Sequence, residues 1–347
     1  MTGTHQKAKV FWFFFSKKNI FLLSFLVVSG SVSSATPSVG FQTALVPDPG
    51  NAPIFVGLWY PAEAPARPVR ISLDTVPVAP DAAPVGSGLK LIVMSHGQGG
   101  GFAGHIDTAM ALARAGFVVA SLTHTGDNFR DGSRVLQIWD RTRQLHVVTD
   151  WVLHVWPGHD HLDPDHIGVF GFSAGGFTAL VAAGGMPDLS RIAPHCAAHK
   201  AEFTCGLIAQ AAPDHATLPV APPGAWVHDA RIAAAVIAAP ALGFTFGKQG
   251  LASVTVPVQL WRAAQDSTLP QPYYAQAVAD DLPRPPEYHV VQGAQHLDFL
   301  SPCDADKARI VPQLCQSGPG FTRDKFHIQF NRAVKNFFAA QLGSGAQ

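Results

Sequence analysis

Charge is scarce in this chain: 14% of its 347 residues are Asp, Glu, Lys or Arg, against 47% apolar. That balance excludes a disordered, self-repelling polymer and supplies apolar mass for a large core, in one domain or one domain with an insertion. Internal repeats, low-complexity tracts and any linker that would separate two domains are also missing. No apolar run near the N-terminus is long enough to span a membrane: Ile20 to Val28 falls short of a bilayer, and Lys17 and Lys18 divide it from Val10 to Phe15. Cysteine is limited to Cys196, Cys205, Cys303 and Cys315, none in the short C-x-x-C spacing that structural zinc favours.

The first 35 residues hold Lys7, Lys9, Lys17 and Lys18, no acidic residue, an apolar segment, and then Ser33-Ser34-Ala35. This order of charge, apolar run and small residues reads as a signal peptide over 1–35, cleaved to leave a domain over 36–347; an uncleaved anchor is the alternative. No cysteine lies near the cleavage point to take a lipid. Without the four lysines, 20 basic side chains face 24 acidic ones. A mildly acidic protein is a poor partner for nucleic acid or an anionic membrane. Export to the periplasm or the medium makes two disulfides the expectation for four cysteines. The simplest pairing is Cys196 with Cys205 and Cys303 with Cys315, among three connectivities.

Two strands are expected early, around Phe41 to Val46 and Ile54 to Tyr60, followed by a Pro- and Ala-rich loop. Apolar strands then recur at Leu89 to Met94, Phe117 to Leu122, Ile167 to Phe170, Ala233 to Ala238, Val254 to Trp261 and Tyr288 to Val291. Helical spacing separates most of them, as in Ile106 to Ala115 and Leu136 to Val155, and the chain closes on Lys325 to Leu342. The alternation predicts an α/β sandwich: a mostly parallel eight-stranded sheet with helices on both faces. Residues 186–231 break the pattern with Pro, His, Ala and two cysteines. They read as a cap insertion over the sheet, or as a surface excursion pinned by a disulfide.

The most informative motif is Gly171-Phe-Ser-Ala-Gly175, placed between a short apolar strand and a helix-like run. That context makes Ser173 the candidate nucleophile of a strand-turn-helix elbow, with Gly171 and Gly175 required because side chains there would collide. A serine nucleophile needs a base and an acid that orients the base. Asp266 follows the strand ending at Trp261, and His296 follows the next one, ending at Val291. Acid and base therefore fall at two consecutive strand ends, in order after the serine. Asp229 precedes a strand, Asp298 braces the histidine loop, and the strand end Ile237 to Ala241 carries no carboxylate.

Oxyanion donors are expected from Ala174 N–H, just after the nucleophile, and from the glycine-rich run Ser95-His-Gly-Gln-Gly-Gly-Gly101. Within that run the donor is assigned to Gln98, with Gly97 and Gly99 as alternatives, and His96 is read as structural. The run lacks the G-K-[ST] ending of a phosphate loop. His124, Asp127 and Asn128 either line the pocket or brace their loop. Gly158-His-Asp-His-Leu-Asp-Pro-Asp-His166 is rich in metal-ligand types, but its turn-forming Asp-Pro-Asp leads directly into the nucleophile strand. Trp139, Trp151 and Trp156 fit a buried helix face.

Together with Thr123-His-Thr-Gly-Asp-Asn128, Leu260-Trp-Arg-Ala-Ala-Gln-Asp266 and Gly293-Ala-Gln-His-Leu-Asp-Phe-Leu300, these motifs resemble the bacterial predicted dienelactone hydrolases related to platelet-activating factor acetylhydrolases. The resemblance spans nearly all of the chain after residue 35 and implies an α/β-hydrolase fold and carboxylic-ester hydrolysis. True dienelactone hydrolases carry cysteine where this chain has Ser173. The secreted mammalian acetylhydrolases place their acid one strand earlier, where this chain has none.

The resulting expectation is an exported serine ester hydrolase using Ser173, Asp266 and His296, with Gln98 and Ala174 as oxyanion donors. It needs no metal or organic cofactor and acts on a small-molecule ester. A lipid or acetyl-ester hydrolase, or a non-catalytic binding protein of the same fold, is the alternative.

Overall fold

In Leu91–Ser95 every residue is buried, with Leu91 and Val93 packed into one apolar cluster and Ile92 and Met94 into another. A strand with no polar face must be covered on both sides. The computed structural model describes residues 38–212 and 219–343 and shows both covers. The expected signal peptide lies outside the described residues.

The strands are β1 (Ser38–Val46), β2 (Ile54–Ala62), β3 (Arg67–Ile71), β4 (Asp74–Pro80), β5 (Leu91–Ser95), β6 (Val118–Thr123), β7 (Ile167–Phe172), β8 (Ile232–Ala238), β9 (Val258–Ala263) and β10 (Glu287–Val291). They form one sheet in the order β10-β9-β8-β7-β5-β6-β2-β1-β4-β3. The expected eight strands are thus ten among the described residues. The Pro- and Ala-rich stretch assigned to a loop contains the hairpin β3–β4, in which Pro68 lies opposite Pro77. Proline is tolerated there because the hairpin sits at the sheet margin, where ladder hydrogen bonds can be missing. Orientation is mixed: β1–β2, β2–β6 and β3–β4 pair antiparallel, while the block from β6 through β5 to β10 is parallel.

The principal helices flanking the sheet are α1 (Ile106–Arg114), α2 (Asp140–His154) and α3 (Ala174–Ala182). Two helices, α4 (Ile192–Ala198) and α5 (Phe203–Ala211), precede β8, and the shorter α6 (Gly247–Leu251) and α7 (Ala275–Asp281) follow later strands. The C-terminal part holds α8 (Ala305–Ile310), α9 (Pro312–Cys315) and α10 (Arg323–Leu342). Ile106 and Met110 of α1 join Phe330, Val334 and Phe338 of α10 on one face; Leu145, Val148 and Val152 of α2 join Phe177 and Leu180 of α3 on the other. From β5 the chain moves to β6 on one side and then returns past β5 to β7 on the other. This reversal opens a crevice between the carboxyl ends of β5 and β7, where open α/β sheets bind ligands.

The histidine- and aspartate-rich stretch before β7 is tied down as a turn. Asp163 pairs with Lys90 and accepts Asp165 N–H at 2.9 Å, while His161 Nδ1 lies 2.6 Å from Gly86 O.

Candidate active site

The crevice between β5 and β7 is filled by backbone. A Cβ on Gly171 would overlap the Gly175 carbonyl, and one on Gly175 would overlap Ser95 O and lie 2.8 Å from His96 O. These two glycines let β7, the start of α3 and the end of β5 approach closely. At the turn between β7 and α3, Ser173 is held at φ 55°, ψ −118°. A non-glycine residue there costs on the order of 1–3 kcal/mol, supplied by the surrounding contacts. Ser173 N–H donates to Ala238 O at 2.9 Å, and Ser173 C=O accepts from Ala241 N–H at 2.9 Å and Phe177 N–H at 3.1 Å.

The structure brings Ser173, His296 and Asp266 together. His296 Nε2 lies 3.0 Å from Ser173 Oγ, and His296 Nδ1 lies 2.8 Å from Asp266 Oδ2. The other carboxylate oxygen, Asp266 Oδ1, accepts Thr268 N–H at 3.0 Å and Leu269 N–H at 2.8 Å. With both oxygens occupied, the carboxylate has one orientation. The imidazole has its own support, since the Phe172 ring packs against it at 4.8 Å between centroids. Its loop is pinned by buried Asp298, whose Oδ2 accepts Gln295 N–H at 2.8 Å and whose Oδ1 accepts Arg323 Nε–H at 3.1 Å and the Ser317 hydroxyl. Asp229, by contrast, is engaged by Arg231 and His146.

The glycine-rich run after β5 wraps over the serine, so that a Cβ on Gly97 would stand 3.3 Å from Ser173 Cβ. Gly99 N–H donates to Asp127 Oδ1 at 3.0 Å and so is already engaged. Gln98 and Ala174 both line the cavity that contains Ser173. Ala174 is the first residue of α3, whose N–H has no acceptor within the helix.

His96 and His124 are buried and serve the loop. His96 Nε2 accepts His124 N–H at 3.0 Å, so its Nδ1–H donates to Gly97 O at 2.6 Å. His124 Nε2 accepts from the Ser95 hydroxyl at 2.8 Å while Nδ1–H donates to Gln144 Oε1 at 3.0 Å. Burial, reinforced by the Arg141 charge, holds both imidazoles well below their ordinary pKa and so neutral. Arg141, which no sequence motif singles out, is 2% exposed and ion-paired with Asp127 at 2.6 Å. An arginine near the start of an amphipathic helix gives no sign of pointing inward.

The cavity beside Ser173 measures about 90 Å³ and is apolar: Ile138, Ile192, Phe203, Ile208, Leu242 and Leu269 contribute walls. A larger open groove between β10 and α10, about 990 Å³, contains none of the side chains just described. The Cys196–Cys205 disulfide joins α4 to α5, two helices that wall the cavity, and Cys303–Cys315 closes the segment after the His296 loop. No helix among the described residues is long and apolar enough to cross a membrane.

Sheet order, elbow and loop positions define the α/β-hydrolase fold. A ferulic acid esterase from Streptomyces cinnamoneus superposes with a TM-score of 0.60 at 19% identity, over 89% of this chain and 91% of that one. A dienelactone hydrolase from Anabaena variabilis gives a TM-score of 0.48 at 16% identity, over 89% of this chain and all of the other. A family model described as X-Pro dipeptidyl-peptidase (S15 family) matches residues 57–210, which include Ser173 but neither Asp266 nor His296. No curated protein matches in sequence.

Proposed function

We propose that this protein is an exported carboxylic-ester hydrolase that works through an acyl-enzyme on Ser173. The carrying observation is the unbroken hydrogen-bond chain from Ser173 Oγ through both nitrogens of His296 to Asp266. His296 Nε2 takes the hydroxyl proton as Oγ attacks the ester carbonyl, and Asp266 holds the imidazole in the accepting tautomer and balances its charge. Gln98 and Ala174 N–H groups stabilise the oxyanion of the tetrahedral intermediate. Collapse breaks the bond to the alkoxy oxygen, which leaves as the alcohol with the proton from His296. Water then attacks the acyl carbon, giving its proton to His296, and the carboxylic acid departs as Ser173 recovers a proton.

The apolar walls support an ester whose acyl or alkyl group is a hydrocarbon. A dipeptidyl-peptidase would need an acidic group for its substrate's N-terminal ammonium. The one acidic residue among the described cavity walls, Asp127, is already neutralised by Arg141. The described residues between 186 and 231 act as a cap, a reading supported by the α4 and α5 side chains in the cavity wall. Export is supported by the two disulfides, which persist in oxidising compartments.

A series of p-nitrophenyl esters from acetate to octanoate tests the reading. The wild-type protein should hydrolyse them with a preference that depends on chain length, and Ser173→Ala should lose at least about 10³-fold in kcat. Equal turnover by the two proteins would remove Ser173 from the chemistry.

A further inference from the structure

The two oxyanion donors sit on separate pieces of backbone: Gln98 on the loop after β5, Ala174 at the start of α3. Only their mutual spacing decides whether both reach one oxygen, and donors must stand about 2.7–3.1 Å from it. Arg141 touches both pieces. Its Nη2–H donates to His96 O, two residues before Gln98. Its Nε–H donates at 3.2 Å to Thr178 Oγ1, and that hydroxyl donates at 2.9 Å to Ala174 O. Its Nη1–H donates at 2.6 Å to Asp127 Oδ2, while Asp127 Oδ1 accepts Gly99 N–H on the other side of Gln98. The loop is therefore held at residues 96 and 99, and α3 at residues 174 and 178, by one planar cation and its counter-ion.

Resting on the reading of this site as an acyl-transfer centre, we infer that Arg141 is a positioning residue that sets the distance between the Gln98 and Ala174 oxyanion donors, with Asp127 and Thr178 as its anchors. Three features favour this over a purely structural ion pair. The guanidinium reaches three separate elements, through β5's loop, the loop after β6 and α3. Its partners bracket Gln98 at residues 96 and 99 and reach Ala174 through the Thr178 hydroxyl on the Ala174 carbonyl. A lysine, as a compact point charge, could not serve His96 O, Thr178 Oγ1 and Asp127 with one planar fork. The role is specific to the transition state, because a ground-state carbonyl needs less from the two donors than the developing oxyanion.

Steady-state kinetics on p-nitrophenyl butyrate with Arg141→Lys and Thr178→Val provide the test, together with inhibition by an alkyl trifluoromethyl ketone, whose hemiketal with Ser173 presents an oxyanion. A misplacement of about 1 Å is worth up to ~10²-fold in rate. Arg141→Lys should lower kcat about 30- to 100-fold with KM within about threefold, and weaken the trifluoromethyl ketone by a similar factor. It should leave the corresponding methyl ketone's affinity unchanged. Thr178→Val, which removes only the tether to α3, should show the same pattern at about 3- to 10-fold. If Arg141→Lys does not fold, Thr178→Val alone decides. Wild-type kcat and unchanged trifluoromethyl ketone affinity in a folded variant overturn the inference, as does a loss confined to KM. Either result leaves the ester-hydrolase reading standing provided Ser173→Ala is inactive. Absence of turnover in the wild-type protein would instead remove the reading beneath it.

Discussion

Gly175 and Ser95 are packed so closely that no atom fits between the Gly175 Cα and the Ser95 carbonyl oxygen: a Cβ on Gly175 would overlap that oxygen. The obstacle is backbone, so no rotamer change can relieve it. Gly175→Ala should therefore force α3 away from β5 and carry Ala174 N–H with it. We expect a thermal midpoint lower by about 2–5 °C, from overpacking of about 1–3 kcal/mol in a domain of this size, and a kcat reduced at least tenfold. Differential scanning calorimetry with parallel kinetics checks both. Wild-type stability would show that the crevice between β5 and β7 is looser than the structure has it.

Asp266 orients His296 through one carboxylate oxygen while its other oxygen is spent on Thr268 and Leu269 N–H groups. Asp266→Asn can keep those backbone bonds with its amide oxygen and present an NH2 to Nδ1, which favours the wrong imidazole tautomer. The expected result is a fall in kcat of about 10³- to 10⁴-fold with a stability change under about 1 kcal/mol, read from ester kinetics and urea melts. A variant that keeps its activity would mean another carboxylate does this work.

The folded protein should weaken steeply in mild acid. His96, His124 and His105 are buried and neutral, the first two held well below their ordinary pKa and His105 pulled down to about 4 by burial. Unfolded imidazoles take up protons near pH 6.5. Between that pH and the depressed folded values the unfolded state binds more protons, so stability falls as pH falls. Each imidazole contributes about 1.4 kcal/mol per pH unit across its window. Urea unfolding from pH 7.5 to 4.5 should show this slope, and His124→Gln should flatten it. A stability independent of pH over that range would mean these rings take up protons as readily in the native state as in the unfolded chain.

The Cys196–Cys205 bridge fixes α4 against α5, and Ile192, Phe203 and Ile208 from those helices wall the cavity. Closing a nine-residue separation is worth about 2–3 kcal/mol. The double variant Cys196→Ala/Cys205→Ala should lose about that much stability and raise KM for a hexanoate ester several-fold, with kcat nearly kept. A fall in kcat with KM unchanged would place these helices' influence on the serine itself rather than on the substrate chain.

Much of this arrangement is legible in the sequence because it is written in short-range terms. Apolar runs locate β5, β7, β8 and β10, and the residues after Trp261 and Val291 fall where strand ends must be. The β3–β4 hairpin was hidden because Pro68, Pro77 and Pro80 read as loop residues, and because its outward side chains leave no apolar run. The start of β9 at Val258 rather than Val254 follows from Pro257, which cannot donate within a central strand. Arg141, Thr178 and Gln144 were invisible for a different reason. Their roles come from contacts between elements far apart in sequence, and nothing local distinguishes a buried arginine from a solvated one.

The most direct test of the account is covalent labelling of the folded protein with a fluorophosphonate, followed by intact-mass and peptide mapping. One adduct per chain on Ser173, absent in Ser173→Ala and slowed by orders of magnitude in His296→Ala, is the predicted result. Labelling of Ser173→Ala at the wild-type rate, or a wild-type protein that takes up no label, would contradict it.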